Sequence, residues 1–141
     1  MNLITPDDFY GEIHIGQVSS PDVQELLQYF IEKYEPRLLL NVLGKELKDQ
    51  VIADSTSFPE LVEKLKPMIA NFVYYHYQDY KITEIVGTGT VKPSTQNAVQ
   101  SSPYQKMVRA WNEMVEMQED LKGFEGVNPV MKYKHINSLN L

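Results

Sequence analysis

Three helix-start signals, each leading into an apolar stripe, constrain the fold of this chain most. Ser20-Pro21, Ser57 with Pro59, and Ser102-Pro103 each offer a capping serine and an early proline, which has no N–H to leave unpaired in the first turn. The stripes recur at helical spacing and comprise Val23, Leu26, Leu27, Phe30, Ile31 and Tyr34; Leu61, Leu65, Ile69, Phe72, Val73 and His76; and Met107, Val108, Trp111, Met114, Val115 and Leu121. The pattern predicts a mainly α protein built as a small helical bundle.

Prolines and glycines set the expected helix count at four to five. Pro36 predicts a break or a kink in the first helix, because an interior proline removes a hydrogen bond and clashes with the preceding turn. A second short helix, 37–43, is then expected to end at Gly44, with a further helix over 45–53. Pro67 predicts a kink inside the next helix, which we expect to run to about Tyr80.

The whole chain, 1–141, is expected to form one domain. Its parts are an N-terminal segment over 1–19, helices over 20–80, a long loop over 81–103, the last helix over 104–124 and a tail over 127–141. In the first part, Thr5-Pro6 predicts a capped helical turn. Ile13 and Ile15 alternate with His14 and predict a short extended piece.

The segment from Lys81 to Pro103 is unusually long for a link between helices and carries few charges. Gly87-Thr88-Gly89 predicts a turn between two short strands, 83–86 and 90–92, so the segment is either an extended loop or a hairpin. Its apolar content is too high for a solvated linker, and we expect it to contact other chains. The residues predicted for that contact are Ile85, Val86, Thr88, Val91 and Val99.

The C-terminal tail is also too apolar for an ordinary solvated end. Alternation of apolar and basic residues around Tyr133 predicts an extended arm that adds as a strand to the sheet edge of another protein. The predicted contact residues in the tail are Val130, Met131, Tyr133, Ile136 and Leu139.

Composition narrows the range of functions. The hydrophobic share of 43% and the charged share of 23% are typical of a globular protein. The net charge of −6 argues against nucleic-acid binding, which usually needs a basic surface. The chain has no cysteine, which excludes disulfides and thiolate metal sites. No signal peptide and no membrane span is predicted, so we expect synthesis in the cytoplasm.

No catalytic, cofactor-binding or metal site is predicted. His14, His76 and His135 lie in separate segments without ligand spacing, and His76 is expected to be a core or interface residue. The Gly87–Gly89 turn lacks the remainder of a phosphate-binding motif. The acidic run near Glu116 is interpreted as the polar side of the last helix or as a surface for a basic partner. An enzyme is therefore not expected.

Two stretches resemble a known family. They are EPRLLLNVLGKEL (35–47) and IANFVYYHYQDYKITEIVGTGTVKPSTQNAVQSSPYQKMVRAWNEMVE (69–116). The leucine-rich turn, the tyrosine-rich helix end, the G-x-G loop and the RAWNEM helix start are similar to head–tail connector, or adaptor, proteins of tailed phages and prophages of Bacteroidetes hosts.

This resemblance implies a virion protein without catalytic activity, located at the head–tail junction. Such adaptors form a ring, twelve-fold in that family, which contacts the portal protein on one side and tail or neck proteins on the other. A helical bundle would form the ring body, and the loop and tail would grip neighbouring subunits. No cofactor, membrane contact or sequence-specific nucleic-acid binding is implied.

Two other functions are consistent with the sequence. The chain could be a small helical regulatory module that binds one soluble protein, which predicts a defined small oligomer. It could also be a tail-completion or tail-terminator protein, although such folds are usually richer in strands.

Overall fold

The computed structural model describes residues 2–88, 103–124, 127 and 133–136. This part of the chain is mainly helical, as predicted. Three long helices dominate: α1 (Pro21–Ala53), α2 (Pro59–Thr88) and α3 (Pro103–Met117). Four short 3-10 helices accompany them, at Pro6–Asp8, Gly11–Ile13, Ser55–Ser57 and Gln118–Leu121.

Helix α2 is the centre of the bundle and packs against both α1 and α3. Its middle is therefore buried on several sides, from Met68 through Tyr74. The apolar stripes predicted for the three helices supply most of the core, including Leu27, Ile31, Leu65 and Met114. Helical spacing brings these side chains to one face before any tertiary contact forms, which is why the sequence pattern predicts them.

Helix α1 has no break at Pro36, where the sequence predicted a break or a kink. Leu38, Leu39 and Leu43 continue the buried stripe beyond the proline, so the helix keeps its apolar face against the core although it lacks one hydrogen bond. The interruption lies at Gly44, where φ is +82° and ψ is 164°. The predicted role of Gly44 as a helix stop is confirmed, because this left-handed backbone suits glycine.

The two predicted serine caps of α1 and α2 differ from the structure. Ser20 occupies the position before α1, but its side chain makes no capping hydrogen bond. The Ser57 hydroxyl instead donates to Asp54, at 2.6 Å, and Phe58 is the residue that directly precedes α2. Thr56 donates to the same carboxylate, and these hydrogen bonds lower the pKa of Asp54.

The end of α2 also departs from the sequence interpretation. The helix continues to Thr88, whereas the sequence predicted an end near Tyr80 and a strand over 83–86. Helix propagation adds one hydrogen bond for each residue fixed, so a formed helix extends into a segment of weak alternative preference. The remainder of the predicted loop, 89–102, lies outside the described residues.

The N-terminal segment is part of the core. Thr5 and Asp8 form the predicted capped turn, in which the Asp7 N–H donates to Thr5 Oγ1 and the Thr5 N–H donates to Asp8. Ile13 and Ile15 are both buried, but Ile13 belongs to a 3-10 helix rather than the predicted extended piece.

Glu35 of α1 holds the start of this segment in place. Its carboxylate is only 1% exposed and accepts hydrogen bonds from the backbone N–H groups of Leu3 and Ile4, at 3.0 and 3.2 Å. The Asn2 side chain donates a further bond. Burial raises the pKa of Glu35, while these donors act in the opposite direction. The carboxylate thus supplies acceptors that the apolar core could not offer.

Candidate interaction surface

An aromatic cluster connects all three helices and lies beneath the candidate surface. His76 stacks on Tyr34, with ring centroids 3.9 Å apart and planes 1° from parallel. Phe72 meets His76 edge-on at 4.8 Å and also contacts Trp111 of α3. Tyr133 completes the cluster at 5.4 Å from Trp111. Aromatic pairs of this kind fix side-chain positions as well as burying area.

The cluster places His76 in an environment that disfavours its charged form. The pKa of His76 is lowered to about 4, and burial is the main cause; Asp79 opposes the shift, whereas the cations Arg37 and Lys33 add to it. The imidazole is therefore neutral at physiological pH and acts as an aromatic packing group. The predicted structural role of His76 agrees with this geometry.

A groove of about 460 Å³ runs along the outer edge of the cluster, between α1 and the second half of α2. Two cations lie over the ring of Tyr34, which lines the groove. Lys33 Nζ is 5.4 Å from the centre of the Tyr34 ring, and the Arg37 guanidinium carbon is 5.1 Å from the same ring. The residues that line the groove are Leu26, Tyr29, Phe30, Lys33, Tyr34, His76, Asp79, Tyr80 and Thr83.

The groove is bordered by an exposed stripe on α1, which we call the aromatic–cationic stripe: Tyr29, Lys33, Arg37 and Leu40. Tyr29 is 57% exposed and Leu40 is 47% exposed. Among the described residues, neither Lys33 nor Arg37 has a carboxylate within 4.0 Å. Tyrosine and arginine on a rigid helix are typical of protein contact surfaces.

Sequence reasoning missed this stripe, although a signal was present. The spacing of Tyr29, Lys33, Arg37 and Leu40 puts all four on one side of a helix, opposite the apolar face. A break at Pro36 would place Tyr29 and Lys33 on one helix and Arg37 and Leu40 on another, so the sequence did not predict one surface.

A second surface lies at the other end of α2 and is acidic. A groove of about 670 Å³ contains four carboxylates and one cation, Lys66. Tyr10 stands at this groove with 73% of its surface exposed. The residues that line the acidic groove are Asp8, Tyr10, Glu12, Ile13, Glu63, Lys66, Pro67, Asn71, Glu113 and Met117.

The described part of the tail packs against its own bundle instead of projecting away. The Tyr133 N–H donates to Gln118 Oε1 at 3.2 Å, and Gln118 Nε2 donates back to the Tyr133 carbonyl at 3.0 Å. Asn112 pairs in the same way with the backbone of Ile136, at 2.8 and 3.1 Å. Each side-chain amide uses one N–H donor and its carbonyl acceptor to pair with the backbone of the tail, as a residue on the edge of a β-strand would.

Three more contacts hold this tail segment. Asn41 of α1 donates to the Tyr133 hydroxyl at 2.8 Å, and Trp111 Nε1 donates to the Lys134 carbonyl at 2.7 Å. His135 lies 2.9 Å from Glu116. Tyr133 and Ile136, both predicted as contacts to another chain, are therefore partly buried within their own chain. The backbone that was expected to join the sheet of another protein has its partners on α3 and on the 3-10 helix that follows it.

The other predicted contact residues divide into two groups. The backbones of Ile85, Val86 and Thr88 lie in the last turns of α2, and the positions of their side chains are outside what the structure describes. Val91, Val99, Val130, Met131 and Leu139 lie outside the described residues.

Within the described ranges, no group of three His, Asp or Glu side chains could hold a metal ion. None of the helices described there is both long enough and apolar enough to cross a membrane. Comparison of the chain with protein-family models, curated proteins and solved structures finds no match.

Proposed function

We propose that the protein is a structural, non-enzymatic subunit of a homo-oligomeric ring, and that this ring is a head–tail adaptor of a phage or prophage particle. The observation that carries the proposal is the aromatic–cationic stripe on a rigid α1, where Tyr29 and Leu40 are left about half exposed. Large apolar side chains favour a protein partner over solvent when they lie beside cations that have no carboxylate within 4.0 Å among the described residues. The resemblance of 35–47 and 69–116 to adaptor proteins supports the particular role.

In this proposal the helical bundle is the ring body. The finer features expected from the sequence, four to five helices with a loop or hairpin before the last helix and an extended arm, remain part of the proposal. The docking of Tyr133 and Ile136 on α3 changes one element of it. In the proposal, the helix surfaces and the predicted contact residues at 85–99 now contact the neighbouring subunits. The start of the tail no longer has this role.

The test is the assembly state of the full chain together with its genetic context. Native mass spectrometry over a concentration series, with negative-stain electron microscopy, is expected to show closed rings or to show them when a portal ring is added. A portal gene upstream and tail genes downstream are expected at the native locus. A chain that neither forms rings nor binds a portal, and that is encoded away from such genes, would refute the proposal.

The groove between α1 and α2 favours a second candidate. A groove of about 460 Å³ with aromatic walls can also accept one segment of a soluble protein, as the regulatory-module interpretation requires. That candidate predicts a defined monomer or dimer that binds a single soluble partner with a fixed stoichiometry. The same native mass spectra distinguish the two functions.

A further inference from the structure

Resting on the proposed ring, we infer that its subunit contact is head-to-tail, with the aromatic–cationic stripe of one copy seated on the acidic groove of the next. The stripe supplies Lys33 and Arg37 beside exposed Tyr29 and Leu40. The acidic groove supplies an excess of carboxylates beside exposed Tyr10. The two surfaces thus carry opposite charge, and each has an exposed aromatic or apolar side chain that the other could cover.

The placement of the two surfaces on α2 fits such a contact. At about 100° per residue, Glu63 and Pro67 project from the side of α2 nearly opposite to His76 and Thr83. The first pair lines the acidic groove and the second pair lines the groove beside the stripe. Two different, complementary patches on opposite sides of one subunit produce a head-to-tail contact, which closes into a ring when the rotation permits.

Charge complementarity selects a second copy as the occupant. Among the described residues that line the acidic groove, Lys66 is the one cation, so a partner that brings two more cations reduces the repulsion among the carboxylates of the groove. Near the stripe, Asp79 lines the groove and Glu32 accepts a hydrogen bond from Gln28. Neither is within 4.0 Å of Lys33 or Arg37, among the residues described.

The experiment reverses the charge of each surface in the full chain. The variant K33E/R37E makes the stripe acidic, and the variant E63K/E113K makes the acidic groove basic. All four side chains are exposed, so circular dichroism is expected to show an unchanged fold. Each variant alone brings like charges together and is expected to weaken self-association at least tenfold in sedimentation analysis.

Mixing the two variants is the decisive measurement. The acidic stripe of the first meets the basic groove of the second, and the native stripe of the second meets the native groove of the first. An equimolar mixture is therefore expected to regain association as alternating heteromers. The matched control K45E/K48E has the same change in net charge as K33E/R37E, lies beyond Gly44 on α1 and is expected to associate like the native chain.

Three results would overturn the inference: unchanged association in both variants, no recovery on mixing, or a native chain that stays monomeric throughout the series at low salt. A ring that ignores the charge reversals leaves the adaptor proposal standing and refutes only this contact. The portal-binding and gene-neighbourhood tests address the adaptor function separately. Association of the native chain is also expected to weaken as salt rises, because exposed charge pairs are screened.

Discussion

At the scale of single residues, the buried Glu35 and the half-buried His76 are titratable groups that serve backbone pairing and packing. His76 is a neutral member of an aromatic stack. Glu35 supplies acceptors for the N-terminal backbone. Such positions are often examined as catalytic candidates, because burial shifts their pKa values. Here the contacts of both residues account for them as parts of the fold.

The lowered pKa of His76 predicts a loss of stability in mild acid. The folded pKa, about 4, is below the unfolded value of 6.5, so the unfolded chain binds the proton more tightly. The contribution is fully present above pH 6.5 and is lost as pH falls toward 4, by up to about 3 kcal/mol. Urea unfolding at a series of pH values measures it.

The variant H76F is the control for that prediction. Phenylalanine can stack on Tyr34 without titrating, so the pH dependence between 6.5 and 4 is expected to be smaller in this variant. Equal pH dependence in the two proteins would mean that titratable groups other than His76 cause the effect.

Replacement of Glu35 predicts loosening of the N-terminal segment. E35L leaves the N–H groups of Leu3 and Ile4 without their acceptor, at a cost of about 2–4 kcal/mol. E35Q keeps one acceptor oxygen and is expected to lie between E35L and the native chain. Denaturant unfolding and amide hydrogen exchange at Leu3 and Ile4 measure both effects. Unchanged protection of these two amides in E35L would contradict the assignment.

Glu35 also adds a pH effect of opposite sign. Its pKa is raised from 4.5 in the folded chain, so this group favours the folded state most at low pH. That contribution is lost as pH rises from 4.5 through the raised pKa. E35Q removes this titration, and the difference between its pH profile and that of the native chain isolates it.

At the scale of secondary-structure elements, the interruption at Gly44 divides α1 into two helical stretches. G44A is expected to destabilise the protein by about 1–2 kcal/mol, because the φ of +82° is strained for any L side chain. A Cβ at this position meets no atom within 4 Å, so the loss is conformational. G16A is the matched control, since its Cβ also has open space and its backbone is not in the left-handed region. Thermal unfolding of both variants should show a loss for G44A alone.

At the same scale, Gln118 of the 3-10 helix after α3 holds the tail through the Tyr133 backbone, and we call this pair of hydrogen bonds the tail clamp. Q118A removes both hydrogen bonds to the Tyr133 backbone and is expected to cost about 1–3 kcal/mol. Exchange of the Tyr133 amide should quicken, and Trp111 fluorescence should change because the two rings are in contact. A fluorescence spectrum and an exchange rate equal to those of the native chain would show that the clamp does not hold the tail in solution.

At the scale of the whole molecule, stability and assembly are expected to depend on different residues. Y29S/L40S changes two side chains that are already about half exposed, so the unfolding midpoint should move little. Under the ring proposal the same variant is expected to lower self-association, because it removes the apolar part of the contact. Sedimentation and thermal unfolding measured on one preparation separate the two effects. A variant that associates like the native chain would argue against the stripe as a contact.

Sequence reasoning was most successful where the physics is local. The stripes of α1, α2 and α3, the capped turn at Thr5 and the stop at Gly44 all follow from spacing and backbone preference within a few residues. It failed at Pro36, where the local preference for a break was outweighed by burial of the leucines that follow. It also failed at the end of α2. The residues predicted as a strand over 83–86 continue the helix that precedes them.

The sequence alone therefore determined a helical protein, the faces that form its core and the absence of thiol chemistry. Only the tertiary structure decided where the charges and the tail lie. Glu35 meets Leu3 across 32 positions of the chain, and Asn41 meets Tyr133 across 92. Contacts at such separations depend on how the helices pack, so no local pattern encodes them. For that reason the sequence did not predict the aromatic–cationic stripe, the acidic groove or the tail clamp, which depend on the packing of the bundle.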